Sequence, residues 1–201
     1  MRAVLVAFAA TVAAAAGACG TDTPTTTAGV TPTGVTGNIN VFAAASLTDS
    51  FKQIGKDFEA ANPGSTVVFN FGGSPALATQ INEGAPADVF ASASPTTMKT
   101  VTDAGNGDGT PVVFVKNQLV IAVPKGNPKG ITGLSDLTKP DVKVALCAEA
   151  VPCGAAAKKA LDTAKVTLTP VTLEQDVKAA LSKVTLGEVD SGNSTPSTSS
   201  C

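Results

Sequence analysis

Histidine, tryptophan and tyrosine are absent from this chain of 201 residues, and charged residues make up only 15% of it. Without histidine there is no Ser-His-Asp or Cys-His nucleophilic apparatus, no imidazole general base and no histidine-ligated metal site. Most familiar enzyme mechanisms are therefore excluded. The 14 basic and 16 acidic residues give a net charge of −2 without a long block of like charge, so the composition argues against a nucleic-acid partner. A bound anion would have to be held by dipoles rather than by cationic side chains.

The first 18 residues have the pattern of a signal peptide. One Arg precedes an Ala- and Val-rich run that is too short to span a membrane. The run ends in Ala-Gly-Ala-Cys, which resembles a bacterial lipobox except that Ala16 stands where a branched residue is usual. We expect Cys19 to carry a lipid that anchors an exported protein to the outer face of the cell membrane, its only membrane contact. Cleavage at an ordinary signal-peptidase site, with Cys19 incidental, is the alternative.

Residues 19–37 combine the lipidated Cys with a segment rich in Thr, Pro and Gly. Such a segment buries too little apolar surface to offset its ordering entropy, so we predict a flexible tether.

From residue 38 the hydrophobic pattern alternates between strand and helix, which predicts an α/β fold with mainly parallel sheets. Ser74-Pro75 and Ser94-Pro95 both have the pattern of an N-cap followed by Pro at the first helical position. The predicted strands and extended segments are residues 39–43, 66–71, 88–91, 119–123, 142–146 and 166–171. The other predicted helices cover residues 47–61, 134–137, 154–164 and 173–184. The last helix has two possible N-caps, Thr172 in a capping box with Gln175, or Asp176.

The four cysteines of the chain lie in different sequence contexts, which predict different roles. Cys147 and Cys153 lie six positions apart in an exported chain, which favours a local disulfide. A metal site with two thiolates is the alternative, although two ligands without histidine make a poor site. Cys201 has no assigned partner.

Ser46, Ser74 and the Cys153-Gly154 turn each follow a predicted strand and stand at the start of a helix. Helix starts direct unpaired backbone N–H groups and a positive dipole end toward the carboxyl edge of a sheet, which is a setting for an anion. For either serine alone, a simple N-cap is the more common role.

Four segments together resemble the periplasmic molybdate-binding proteins of ABC importers. They are NINVFAAASL (residues 38–47), FGGSPALATQI (71–81), GAPADVFASA (84–93) and VPCGAAAKKAL (151–161). The resemblance implies a monomeric, two-lobed, type II periplasmic binding-protein fold, with lobe one at residues 38–118 and lobe two at 119–190. It also implies that the protein closes on molybdate or tungstate and delivers it to a membrane permease, that it is not an enzyme, and that it has no cofactor. By the same resemblance the oxyanion ligands are the hydroxyls of Ser46 and Ser74 and the backbone amides of Cys153 and Val177, with no metal bound directly by side chains.

The resemblance stops at residue 190. The family continues with a strand that carries a Tyr donor and with elements that complete lobe one, whereas residues 191–201 read SGNSTPSTSSC. This composition predicts a disordered tail, and a truncated or frameshifted reading frame would explain it; a natural polar tail on a shorter relative is the alternative. We expect exposed apolar surface, lower stability, and weak or no anion binding.

Other functions remain open as alternatives. A sulfate-type receptor would use the same donors, and a degenerate envelope lipoprotein would bind no ligand. A serine hydrolase lacks a base and a G-x-S-x-G elbow, and a ferric-iron receptor lacks Tyr and His ligands.

Overall fold

Two small β-sheets organise the chain, the first formed before residue 92 and the second after residue 119. The structure is a computed structural model and describes residues 34–194. Both sheets belong to the same compact unit. The predicted signal peptide, Cys19 and most of the predicted tether lie outside the described residues. The α/β class with mainly parallel sheets is confirmed.

The first sheet has the strand order β2-β1-β3 and is entirely parallel. Its strands are β1 (Gly37–Ala44), β2 (Ser65–Gly72) and β3 (Val89–Ala91). Helices α1 (Thr48–Ala61) and α2 (Ser74–Asn82) connect these strands, and α3 (Pro95–Asp103) follows β3. The predicted order of elements in this part of the chain is therefore confirmed.

Apolar side chains cover both faces of the first sheet, as expected for parallel strands joined by helices. On one face, Phe51 of α1 packs with Val67 and Phe69 of β2 around the buried Val41. On the other face, Leu77 and Ile81 of α2 pack with Phe42 of β1 and Val101 of α3.

The second sheet has the strand order β4-β7-β5-β6. Its strands are β4 (Val120–Ala122), β5 (Val144–Cys147), β6 (Thr172–Glu174) and β7 (Ser191–Ser194). Its helices are α4 (Pro152–Ala164) and α5 (Val177–Thr185), and a 3-10 helix covers Leu134–Thr138. Strand β5 pairs in parallel with β6 and β7, whereas β4 and β7 are antiparallel.

Of the two predicted N-caps of the last helix, Asp176 is confirmed and Thr172 is wrong. Residues 172–174 pair with β5 as strand β6, and α5 begins at Val177. Asp176 is the N-cap, because its Oδ1 accepts a hydrogen bond from the amide of Ala179 at 2.9 Å. The capping box at Thr172 and Gln175 is therefore excluded, and none of residues 166–171, predicted as an extended segment, belongs to a strand.

The prediction of a disordered tail is wrong for its first four residues. Ser191–Ser194 is strand β7, and all four residues are buried. The two neighbouring strands supply partners for its backbone. Gly192 has no side chain, and a Cβ there would lie 3.0 Å from the side chain of Val184, so the position is crowded. Backbone pairing therefore outweighs the low strand propensity of these residues. Residues 195–201 lie outside the described residues.

An apolar segment follows α3 before the second sheet begins. Val112, Val113, Phe114 and Val115 are between 57% and 80% exposed. Among residues 34–194, no helix is both long and apolar enough to span a membrane.

Candidate functional site

A cavity of about 200 Å³ lies where the first and second sheets face each other, and both contribute to its wall. All four predicted ligand residues line it, although they are spread over 132 positions of the chain. The lining residues are Ala44, Ala45, Ser46, Gly72, Gly73, Ser74, Ala93, Asn117, Gln118, Leu119, Val151, Pro152, Cys153, Ala156, Gln175, Asp176 and Val177.

Strand ends of the first sheet present the two serines. Ser46 lies in a 3-10 turn (Ala45–Leu47) directly after β1, and Ser74 is the first residue of α2, after β2. Because β1 and β2 are parallel neighbours, with Ala44 paired to Gly72, their carboxyl ends bring the two turns to the same edge.

Neither serine is an N-cap, so the more common role of a helix-start serine is excluded for both. Gly73 caps α2 and Leu47 caps α1, in each case without a side-chain hydrogen bond. The Ser74 Oγ, which is 1% exposed, accepts a hydrogen bond from the amide of Ala93 at 2.9 Å. Since that bond uses a lone pair, the single hydroxyl proton of Ser74 is left to donate into the cavity.

The first turn of α4 supplies one backbone donor. Pro152 has no N–H, and the amides of Gly154 and Ala155 both donate to the carbonyl of Val151 at 3.0 Å. Cys153 is therefore the first N–H of the helix, and its amide has no acceptor within the helix. It lies at the positive end of the α4 dipole.

Val177 supplies a second backbone donor at the start of α5. The Asp176 side chain accepts a hydrogen bond from the amide of Ala179, and the Asp176 carbonyl accepts one from the amide of Ala180 at 3.2 Å. Neither bond involves the Val177 amide, which as the first N–H of the helix has no intrahelical acceptor. The Val177 side chain is 8% exposed and packs with Cys147, Val151 and Ala180.

A disulfide joins Cys147, the last residue of β5, to Cys153, with 5.7 Å between the Cα atoms. It closes the loop that leads from the strand to the first turn of α4. The alternative of a two-thiolate metal site does not apply, and residues 34–194 hold no cluster of three or more potential metal ligands.

The electrostatics of the cavity rest on dipoles. Among the described lining residues, Asp176 is the only charged one, and none is Lys or Arg. Two helix starts and two hydroxyls are thus the main sources of positive potential. A chemistry of binding through hydrogen-bond donors is available there.

An ion pair and a close backbone approach connect the cavity wall formed by the first sheet with the wall formed by the second sheet. Lys178 of α5 forms an ion pair with Asp49 of α1 at 2.5 Å, and the hydrogen bond from Lys178 is the main reason that the pKa of Asp49 lies below its ordinary value of 3.8. Nearby, the backbone of Gly73 approaches the carbonyl oxygen of Gln175 so closely that a Cβ on Gly73 would lie 2.5 Å from it.

Sequence reasoning missed three amide side chains in the lining, those of Asn117, Gln118 and Gln175. The first two lie between the sheets in a segment without regular structure, where no periodic pattern signals a site. The Gly72-Gly73 pair before Ser74 was a usable signal for a close approach of two backbones.

Comparisons with known proteins place these features in a family. Residues 39–198 match the model of the family described as bacterial extracellular solute-binding protein. The molybdate-binding protein ModA of Mycobacterium tuberculosis strain H37Rv is 46% identical over 176 residues, which cover 87% of this chain and 67% of that protein. The putative ABC transporter substrate-binding lipoprotein YvgL of Bacillus subtilis is 36% identical, over 77% of this chain and 61% of its own length.

One solved structure has a fold similar to that of this chain. The periplasmic molybdate-binding protein of Azotobacter vinelandii superposes with a TM-score of 0.62 at 22% identity, covering 78% of this chain and 71% of that one.

Proposed function

The chain belongs to the bacterial extracellular solute-binding protein family, and we propose that it captures molybdate or tungstate outside the cell for a membrane permease of the ABC importer class. Members of such a family bind a solute without transforming it, so the protein is not an enzyme. The curated relatives named as molybdate-binding proteins support the choice of ligand.

One observation carries the proposal. Ser46 and Ser74 from the first sheet, and the amides of Cys153 and Val177 from the second, surround one cavity that no cation lines among the described residues. Charge-assisted hydrogen bonds from oriented donors are about twice as strong as neutral ones, so a dianion can be held without a counter-charge. We propose that these four residues hold the oxyanion and that lobes at residues 38–118 and 119–190 close on it.

The donor set also bears on selectivity. A protonated phosphate carries a P–OH that needs an acceptor, and an unpaired polar group costs about 1–3 kcal/mol when buried. A wall of donors therefore favours a fully deprotonated oxyanion. Sulfate has the same charge as molybdate and shorter bonds, so the size of the closed cavity has to reject it.

We also propose an exported protein held at the outer face of the cell membrane by a lipid on Cys19. The signal-like residues 1–18 and the name of the lipoprotein YvgL support this placement. Mass spectrometry of the cell-associated protein tests it, since an acylated Cys19 at the N-terminus is expected and an unmodified N-terminus would contradict it.

Thermal unfolding with millimolar molybdate, tungstate, sulfate or phosphate tests the function. A ligand that binds only the folded state must raise the melting temperature, so molybdate and tungstate should raise it while phosphate leaves it unchanged. A Ser46→Ala/Ser74→Ala variant serves as the control and should lose the shift. A larger shift with sulfate would identify a sulfate receptor, and no shift with any oxyanion would identify a lipoprotein without this ligand.

A further inference from the structure

Asn193 lies in β7 beside the carboxyl end of β5, and its side chain touches both ends of the disulfide-closed loop. Its Oδ1 accepts a hydrogen bond from the amide of Cys147 at 2.9 Å. Its Nδ2 donates to the carbonyl of Cys153 at 3.2 Å and to the Cys147 sulfur at 3.4 Å. The residue is 5% exposed, so these bonds form away from solvent.

The bonding pattern fixes the orientation of the amide. Cys147 presents an N–H and Cys153 presents a carbonyl, so only the orientation with Oδ1 toward Cys147 and Nδ2 toward Cys153 satisfies both. A buried amide with its partners matched in this way resists rotation, because turning it would leave buried donors and acceptors unpaired.

We infer that Asn193 is a positioning residue for the oxyanion site, because it fixes the first turn of α4 and thereby aims the Cys153 amide into the cavity. This inference rests on the proposed function. The bond from Nδ2 ends on the carbonyl of Cys153, the residue of this turn that lines the cavity and whose N–H has no acceptor within the helix. Asn193 also ties that turn to β5, through the amide of Cys147.

A second feature of the same turn supports the role of a fixed position. A Cβ on Gly154 would clash with the carbonyl oxygen of Ala148, so the first turn of α4 lies directly against the loop that precedes it. The disulfide, this close approach and the Asn193 amide thus restrain one short turn from three sides. Hydrogen-bond geometry at an anion tolerates little displacement, since a donor-acceptor distance of about 3.6 Å no longer makes a bond.

The test compares three variants of the full chain. Asn193→Ala removes all three hydrogen bonds. Asn193→Asp keeps the oxygen that accepts from Cys147 but replaces the donor to Cys153 with a second oxygen. Val189→Ala is the matched control, because Val189 is 5% exposed and packs with Ala145 and Val184, which do not line the cavity.

Molybdate affinity and melting temperature are measured for each variant. We expect all three substitutions to lower the melting temperature, and both Asn193 variants to weaken molybdate binding at least tenfold, with Val189→Ala within twofold of the wild-type affinity. A merely structural role for Asn193 would give affinities that follow the loss of stability equally in all variants, and that result would overturn the inference.

Amide NMR spectra separate this inference from the proposed function. In Asn193→Ala, the molybdate-induced shift of the Cys153 amide should shrink while that of Val177 persists. If the wild-type chain binds no molybdate, the proposed function fails, and the ligand-free spectra still decide on Asn193. A Cys153 amide with unchanged shift and unchanged hydrogen exchange in Asn193→Ala would then overturn its positioning role.

Discussion

Gly73→Ala should abolish oxyanion binding while leaving the stability of the fold nearly intact. Gly73 belongs to the wall formed by the first sheet, and a Cβ there would lie 2.5 Å from the carbonyl oxygen of Gln175 on the opposite wall. Backbone cannot yield as a flexible side chain can, so the two walls must separate until the distance reaches about 3.4 Å, the ordinary contact range.

The magnitude follows from the donors on the far wall. A separation of that size takes the amides of Cys153 and Val177 beyond hydrogen-bond range of an anion held by the serines. Each charge-assisted bond contributes about 1.5–3 kcal/mol, so losing both weakens binding by about 3–6 kcal/mol, or at least a hundredfold.

Isothermal titration with molybdate and thermal unfolding together provide the assay. Gly73→Ala should show no measurable heat of binding and a melting temperature close to that of the wild type, because the clash lies between the walls rather than inside either one. Gly133→Ala is the control, since a Cβ at that position meets nothing within 4 Å. Wild-type affinity in Gly73→Ala would refute the view that this close approach belongs to the binding state.

Three further predictions concern single side chains. Ser191→Ala should raise the free energy of unfolding by about 1 kcal/mol, measured by urea denaturation, because the Ser191 Oγ is buried without a hydrogen-bond partner in the described part of the chain; a loss of stability would contradict this. Asp176→Asn should keep the N-cap of α5 and tighten molybdate binding by removing a negative charge from the cavity wall, whereas Asp176→Ala should cost about 1 kcal/mol of stability. Titration with molybdate checks the affinity, and thermal unfolding checks the stability. Weaker binding in Asp176→Asn would count against a dianionic ligand. Asp49→Asn should release bound molybdate faster than the wild type in stopped-flow experiments, because the ion pair between Asp49 and Lys178 joins the two walls. Lys178 lowers the pKa of Asp49, so the stabilisation from this ion pair is present above the ordinary value of 3.8 and is lost as pH falls through the lowered pKa. The difference in melting temperature between the wild type and Asp49→Asn should therefore vanish in that pH range. A difference that grows on acidification would show that the sign of this effect is wrong.

The sequence predicted the first sheet well because local and global signals agree there. Buried runs such as Val41–Ala44 of β1 are typical of parallel strands, and the turns after β1 and β2 carry the serines that line the cavity. Composition indicated only that a bound anion would be held by dipoles, whereas the oxyanion and its four ligand residues were implied by the family resemblance.

The second sheet was harder to predict because long-range pairing overrides local preference. Ser191–Ser194 has the composition of a tail, and only its position between β4 and β5 makes it a strand. The start of α5 depended on one carboxylate oxygen reaching the amide of Ala179, which sequence spacing left undecided. The three amide side chains of the lining, and the role of Asn193, likewise depend on contacts between distant segments.

Isothermal titration of the purified chain with molybdate, repeated in the presence of excess sulfate, tests the central claim most directly. We predict saturable one-to-one binding that excess sulfate does not displace and that Ser46→Ala/Ser74→Ala eliminates. Absence of saturable heat in a folded sample, or full displacement by the excess sulfate, would contradict the assignment of this cavity to molybdate.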